Sequence, residues 1–330
     1  MKLKIVLLIK IISILILVPL VLMGALFIYT LFKVDEIKQG YDWDETLEFS
    51  LDYTTVLEFD ESMNILLMTD LHFKNVFDFL TIELMDKVVE LTHPDLIILV
   101  GDNTFTPFNG EALNLLIKTM DAYKVPWTLV YGNHDDNGRY TKNYMSNQLL
   151  HTNHSIFSFG PNDFSGSGNQ IILFKTNETF VHAFYLLDTV STGEISPKIT
   201  EHQESFYRWA VLGLESLTQE SIISSLITHV PLPEMVLARM ESNPLFGNNQ
   251  EASSVNMETT IFDTLLNLGS TKYTFHGHDH VNNASYLYQG IQMTYVTQVG
   301  MTTYGDRSKK GGTLLILNQD GTLEISHILV

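Results

Sequence analysis

Five times along this chain a short apolar run stops on a carboxylate, an amide or an imidazole. Asn64–Thr69 (NILLMT) leads to Asp70 and His72, Leu96–Val100 (LIILV) to Gly101-Asp102, and Pro126–Tyr131 (PWTLVY) to Gly132-Asn133-His134. Leu226–Thr228 leads to His229, and Tyr273–Phe275 to His276-Gly277-His278-Asp279-His280. Such runs read as buried strands. A side chain just past a strand end is rigidly held, yet faces loops that leave room for a ligand. Taken singly, an Asp there is a turn or cap residue, Gly-Asn is a turn dipeptide, and a His is a satisfied core residue. Recurrence, always with oxygen or imidazole donors, points to one shared site.

Between these runs, Phe79–Leu91 and Ala112–Tyr123 place apolar residues at helical spacing. Strands alternating with helices predict an α/β fold with parallel strands. Gln170–Phe174 and Phe180–Leu187 read as paired strands, and Gln203–Leu217 and Met257–Leu268 as helices. Ile291–Val330 reads as strands with a hairpin turn at Asn318–Gly321. Segments 136–169 and 240–256 read as loops near the site, with Arg139, Lys142 and Arg239 as candidates to contact a phosphate.

The donor types have a chemical logic. Two divalent ions about 4 Å apart can clamp a phosphoryl group and activate water. They need a carboxylate able to bridge, with neutral imidazoles and amide oxygens limiting the negative charge. Mixed carboxylate and imidazole donors suit Mn, Fe or Zn better than Ca or Mg.

Asp70-Leu-His72, Gly101-Asp102, Gly132-Asn133-His134-Asp135, His229 and Gly277-His278-Asp279-His280 resemble, in order, the successive blocks of the calcineurin-like metallophosphoesterase family. Thr228-His229-Val230-Pro231-Leu232-Pro233-Glu234 and the Gly-His-Asp-His block also resemble a branch near the purple acid phosphatases. The resemblance implies a sandwich of two mixed β-sheets flanked by helices, holding two divalent metal ions (Mn, Fe or Zn). Asp70, His72 and His280 would hold one ion and Asn133, His229 and His278 the other, with Asp102 bridging. His134 would serve the leaving-group oxygen of a phosphomonoester or phosphodiester, attacked in line by a metal-bridging hydroxide. In the purple enzymes an iron-binding tyrosine falls where this chain has Phe105, and His72 stands where they lack a histidine ligand. A divalent pair is therefore expected in place of a tyrosinate–iron centre. His276, Asp135 and Asp279 are expected to support the site without touching metal.

The N-terminus is a separate unit. Lys2, Lys4 and Lys10 precede 22 uncharged residues, Ile11–Phe32. At 1.5 Å per residue these reach about 33 Å, enough to cross a bilayer. Basic flanks stay inside, so the expected layout is a membrane anchor over 1–34, a linker over 35–60 and an extracytoplasmic metallophosphoesterase domain over 61–330. A cleaved signal peptide is the other reading of the same run. The net charge of −19 repels nucleic acid, so the expected partners are a phosphate ester and the membrane. With no cysteine, disulfides, thiolate metal sites and a cysteine nucleophile are excluded. A membrane-tethered binding or sensory protein that has lost activity is the competing reading; it usually shows a broken donor set, and here the set is whole.

Overall fold

The structure is a computed structural model that describes residues 2–162, 166–192, 195–253 and 258–330, with the side chains of 2–9, 191–192 and 195–196 left aside. The chain opens with α1 (Lys2–Leu31), β1 (Thr55–Glu58), β2 (Ser62–Met68), α2 (Phe79–Thr92), β3 (Leu96–Val100), α3 (Asn109–Tyr123), β4 (Trp127–Val130) and α4 (Lys142–Leu149). It continues with β5 (Gln170–Thr176), β6 (Thr179–Leu186), β7 (Val190–Thr192), β8 (Ile195–Lys198), α5 (Glu201–Thr218), β9 (Ile223–Ile227), α6 (Glu234–Glu241) and α7 (Ile261–Leu268). It closes with β10 (Thr271–His276), β11 (Ser285–Tyr288), β12 (Ile291–Tyr295), β13 (Gly311–Asn318) and β14 (Leu323–Leu329).

Successive side chains of a strand face opposite ways, so a continuous apolar run serves two cores at once. In β2 and β3, Ile65, Leu67, Ile98 and Val100 enter a core shared with Phe174, Phe184, Ile227 and Phe275 of the other sheet. Their neighbours Leu66, Met68, Ile97 and Leu99 pack outward against Met85 and Val88 of α2 and Leu113 and Leu116 of α3. Behind the second sheet, Leu173, Tyr185 and Leu226 meet Phe206 and Ala210 of α5 and Ile261 of α7. The result is the expected sandwich: a five-stranded sheet in the order β14-β13-β2-β3-β4, a seven-stranded sheet in the order β1-β5-β6-β9-β10-β12-β11, and helices outside both. Strands β2, β3 and β4 run parallel to one another, as do β9 and β10, and the β13–β14 hairpin turns near Asn318–Gly321.

Segment 35–60, expected to be a linker, is packed onto the domain instead. β1 pairs in parallel with β5, Trp43 is buried edge-on against Phe206 (5.9 Å), and the Trp209 indole donates to Leu47 O (2.6 Å). The half-exposed pattern of β1 carries no buried-run signal, and its partner strand lies far along the chain. Parts of the two loops expected near the site (163–165 and 254–256), and Met257 at the start of the expected helix, lie outside the described residues.

His182 on β6 shows what burial costs a titratable group. Its Nδ1 donates to Gly321 O (2.7 Å), Nε2 pairs with Ser225 Oγ (2.8 Å), and burial pushes its pKa from 6.5 down to about 4. The unfolded chain takes up this proton near pH 6.5 and the folded chain does not. Stability from this residue is therefore whole above pH 6.5 and declines as the pH falls toward 4. We expect the chain to lose about 2 kcal/mol from this source at pH 5, a loss that His182→Gln removes. Unfolding free energies of both proteins at pH 7.5 and 5 check it; equal losses would refute it.

Candidate metal centre

The strand ends of both sheets meet along one edge. Backbone hydrogen bonds run between the loops leaving β2 and β3: Asp70 N to Gly101 O (3.1 Å), His72 N to Asp102 O (2.9 Å) and Phe73 N to Asn103 O (3.0 Å). Asp70, His72, Asp102 and His278 all have left-handed backbone, with φ of 54°, 49°, 51° and 73°. Side-chain-bearing residues avoid this region at a cost of about 1–3 kcal/mol, and it concentrates at functional sites. Here it turns the side chains off the strand axis into the common cleft. Space is equally tight around Gly101 and Gly132. A Cβ on Gly101 would lie 2.4 Å from the His229 ring, and one on Gly132 would lie 2.1 Å from Asp102 Oδ1.

The structure brings the expected donors together in two groups that can each hold a metal ion: Asp70, His72 and His280, and Asp102, His229 and His278. In the first, Asp70 Oδ1 lies 3.2 Å from His280 Nε2 and 3.6 Å from His72 Nε2, and the two Nε2 atoms are 3.1 Å apart. In the second, Asp102 Oδ2 is 3.3 Å from His229 Nε2. The groups also adjoin: Asp102 Oδ2 is 3.7 Å from His72 Nε2, and Asp70 Oδ1 is 3.8 Å from His229 Nε2. Ligands at 2.0–2.2 Å from one ion sit about 2.8–3.8 Å from each other, so these spacings are those of a coordination shell.

The supporting bonds fix which atom of each donor faces the cleft. Asp70 Oδ2 accepts from His278 N (3.0 Å) and Thr69 Oγ1 (3.0 Å), and Asp102 Oδ1 accepts from His134 N (2.9 Å). That leaves Asp70 Oδ1 and Asp102 Oδ2 pointing inward. His229 Nδ1 faces Val100 O (2.8 Å) and His280 Nδ1 faces Tyr304 O (3.0 Å). A carbonyl only accepts, so both Nδ1 atoms carry hydrogen, and each ring, on giving up its second proton to a metal ion, would turn an Nε2 lone pair to the cleft. Asp70 Oδ1, Asn133 Oδ1 and His229 Nε2 are buried with no hydrogen-bond partner among the described residues. Buried polar atoms are rarely left so, and a bound cation is the partner this donor set fits.

Electrostatics agree. Burial alone would raise both carboxyls. Nearby imidazoles outweigh it, His280 and His229 for Asp70 and His229 and His72 for Asp102, and hold both below the usual carboxylate range. Conversely, burial would lower His229, but Asp102 and Asp70 raise it to about 9. The paired carboxylates thus demand positive charge in the cleft, which protons or metal ions can supply.

His134 stands beside these groups. Its ring lies 4.3 Å from the Phe105 ring and 5.7 Å from His72, and burial lowers its pKa below 6.5. The Asn137 amide nitrogen donates to its Nδ1 (2.7 Å), so the neutral ring carries its proton on Nε2. No motif singles out Asn137 in the sequence; its one signal is the tight turn His134–Asn137, closed by Asn137 N to His134 O (3.1 Å). Asp135 reaches no donor group. It accepts from Gly132 N (2.7 Å), Thr104 N (2.8 Å) and Asn103 Nδ2 (3.2 Å), locking the β3 and β4 loops together. Burial and the Asp102 charge push it up to about 7. His276 is held between Thr228 Oγ1 (2.9 Å) and Thr274 Oγ1 (3.0 Å), and Asp279 accepts from Tyr295 Oη (2.7 Å), so both support the loops as expected.

The three cations expected to meet phosphate have other partners. Lys142 is buried in an ion pair with Asp188 (2.8 Å), Arg139 covers the Tyr29 ring (4.5 Å), and Arg239 Nη1 donates to Glu251 O (2.7 Å). Charge alone nominated them; the acidic composition leaves local carboxylates and carbonyls to claim them first.

The sequence matches the calcineurin-like phosphoesterase family over residues 63–282. It is 28% identical over 248 residues to "Probable inactive purple acid phosphatase 29" of Arabidopsis thaliana, covering 67% of this chain and 63% of that protein. It is 28% identical over 219 residues to "Phosphatase DCR2" of Saccharomyces cerevisiae, covering 60% of this chain and 38% of that protein. The matched stretch thus spans less than two thirds of either relative. Among solved structures, a dimetal phosphatase from Danio rerio aligns over 82% of this chain and 99% of its own, at 15% identity and a TM-score of 0.50, a likeness of fold.

Proposed function

The chain belongs to the calcineurin-like phosphoesterase family, and from that premise we propose that it is a membrane-anchored, extracytoplasmic dinuclear-metal hydrolase of phosphomonoesters or phosphodiesters. The observation that carries this is the pair of adjoining donor groups with inward, unpartnered Asp70 Oδ1, Asn133 Oδ1 and His229 Nε2.

In this reading Asp70, His72 and His280 would hold one divalent ion and Asn133, His229 and His278 the other, with Asp102, which lies near His229 and His72, shared between them. Bound ions would supply charge neutralisation at the phosphoryl oxygens and a lowered pKa for water. The chain's own residues do the rest. The bonds of Asp70 Oδ2 and Asp102 Oδ1 preset the donor geometry, so little reorganisation accompanies reaction. His134, its Nδ1 occupied by Asn137, offers the Nε2 proton to the departing ester oxygen. The mixed carboxylate and imidazole donors fit Mn, Fe or Zn best.

Helix α1 is read as the anchor. Lys10–Leu31 has a mean hydropathy of 3.0 and none of it is buried. The same helix also fits a signal sequence. We assign 1–34 to the anchor and the remainder to the catalytic domain, with 35–60 as its first packed segment. The full chain should stay with carbonate-washed membranes; release into the wash would remove the anchor from this reading.

The name of the Arabidopsis thaliana relative calls that protein inactive, which keeps a binding or sensory role as the alternative for this chain. The complete donor set and His134 favour catalysis. The test is residues 35–330, stripped of metal and assayed on para-nitrophenyl phosphate and bis(para-nitrophenyl) phosphate with Mn, Fe, Zn, Mg or none. We expect turnover only with added metal. A folded, metal-loaded protein inert on both esters would favour the binding role.

A further inference from the structure

An apolar rim joins the candidate site to the end of α1. Val76, Phe77 and Phe79 are 57%, 66% and 61% exposed, Phe105 and Phe108 also face solvent, and the Phe77 and Phe79 rings lie 6.3 Å apart. Large apolar side chains grouped together on the surface mark a contact surface. The loop that presents them is built. Asp78 accepts from Lys74 N (3.0 Å) and Asn75 N (2.6 Å), and Asn75 Nδ2 donates to Phe108 O (3.1 Å), binding the 74–78 loop to the 105–108 loop.

One end of the rim touches α1. The Phe108 ring packs 5.4 Å from Tyr29, which Arg139 covers from another side. Beyond it the chain is tied down: Val34 N donates to Arg139 O (2.9 Å), Thr141 N to Val34 O (3.0 Å), and Lys33 Nζ to the carbonyls of Asp136 and Gly138. Tyr29 lies at the end of the apolar run Lys10–Leu31. A tyrosine there sits at the boundary between headgroups and hydrocarbon, so its neighbour Phe108 lies at the same depth. The other end of the rim touches the site. Phe105 packs against His134 at 4.3 Å and His72 at 5.5 Å, and the segment His134–Thr141 both carries His134 and receives the chain leaving α1.

We propose that this rim lies in the membrane interface and that the site hydrolyses lipid-borne phosphate esters, compounds whose leaving alcohol is embedded in the same bilayer. The inference rests on the reading of the site as a phosphoesterase and of α1 as its anchor. From His134 the surface passes over Phe105, whose ring lies beneath the Lys74 ammonium (5.2 Å), a cation placed beside the site on the side of the rim. Water's oxygen bonds to phosphorus as the ester P–O bond breaks; the lipid alkoxide takes the His134 Nε2 proton, and the proton that water releases restores it, so that ester and water give alcohol and phosphate. Water is the sole co-reactant. The net charge of −19 disfavours attraction to anionic lipid, so aromatic insertion is what holds the rim to the surface.

The test uses the full chain in phosphatidylcholine vesicles, loaded with the metal that supports turnover of para-nitrophenyl phosphate. The probes are hexadecyl phosphate and hexadecyl methyl phosphate in the vesicles, against ethyl phosphate and ethyl methyl phosphate in solution, with release of the long or short alcohol as the readout. We expect at least a tenfold preference for a hexadecyl ester. The double variant Phe77→Ser with Phe79→Ser, which leaves His134 and the donors untouched, should lose that preference while keeping para-nitrophenyl phosphate turnover within twofold. Turnover of para-nitrophenyl phosphate without a chain-length preference overturns the lipid inference alone. A preference that survives the double variant removes the rim from it and overturns it likewise. No turnover of any ester overturns the phosphoesterase reading, and this inference with it.

Discussion

Asp102→Asn should lower turnover of both nitrophenyl esters by at least about a thousandfold, which is about 4 kcal/mol of transition-state stabilisation, with the fold intact. Asp102 Oδ1 accepts from His134 N, while Oδ2 lies within 3.7 Å of both His229 Nε2 and His72 Nε2. An amide cannot satisfy both sides. With its oxygen kept on His134 N, its NH2 group points donors into the cleft where ligand lone pairs converge. With the amide turned over, NH2 faces the His134 N–H, and donor meets donor. Either way a carboxylate that adjoins both donor sets loses its charge. Metal content should fall below two ions per chain, measured by elemental analysis beside the kinetics. Turnover within tenfold of the parent would show that Asp102 is not the bridge.

Gly132→Ala should have the second-largest effect. A methyl group there would lie 2.1 Å from Asp102 Oδ1, 2.4 Å from Asp102 N and 2.7 Å from His229 Cδ2. Two of these are backbone or a tightly held carboxylate, so the loops after β3 and β4 must part, carrying Asn133 and His134 with them. We expect at least about a hundredfold loss of turnover, since a displacement near 1 Å costs that much, with a lower unfolding temperature. Gly290→Ala is the matched control. Its φ of 83° is unfavourable to a side chain, which that of Gly132 is not, yet nothing lies within 4 Å of the added Cβ. It should cost about 1 kcal/mol of stability and leave turnover unchanged. Similar kinetic losses in both variants would show that a general loss of stability, and not the crowding around Asp102, is responsible.

Local chemistry makes much of this protein legible in its sequence. The runs before Asp70, Asp102, Asn133, His229 and His278 stand out because a strand buried on both faces must be apolar throughout, and because the donors follow at once in the chain. The helical spacing in 79–91 and 112–123 stands out for the same reason: a helix declares its buried face within two turns. Even the support roles of His276 and Asp135 follow from their place inside the motifs.

What the sequence by itself determined, then, is the order of the strands' donors and the chemistry they can perform, since each is set by residues within a few positions of one another. Tertiary structure alone decided the rest. Segment 35–60 became part of the domain because β1 found an edge on β5, a pairing no local pattern announces. Lys142 was drawn to Asp188 because burial makes an unpaired charge costly and its partner lies 46 positions away. The contact of Phe105 with His134, and the meeting of Phe108 with the end of α1, depend on segments converging from separate parts of the chain. Sequence spacing fixes what a segment does locally; only the packing of distant segments fixes what each charge and each exposed ring will face.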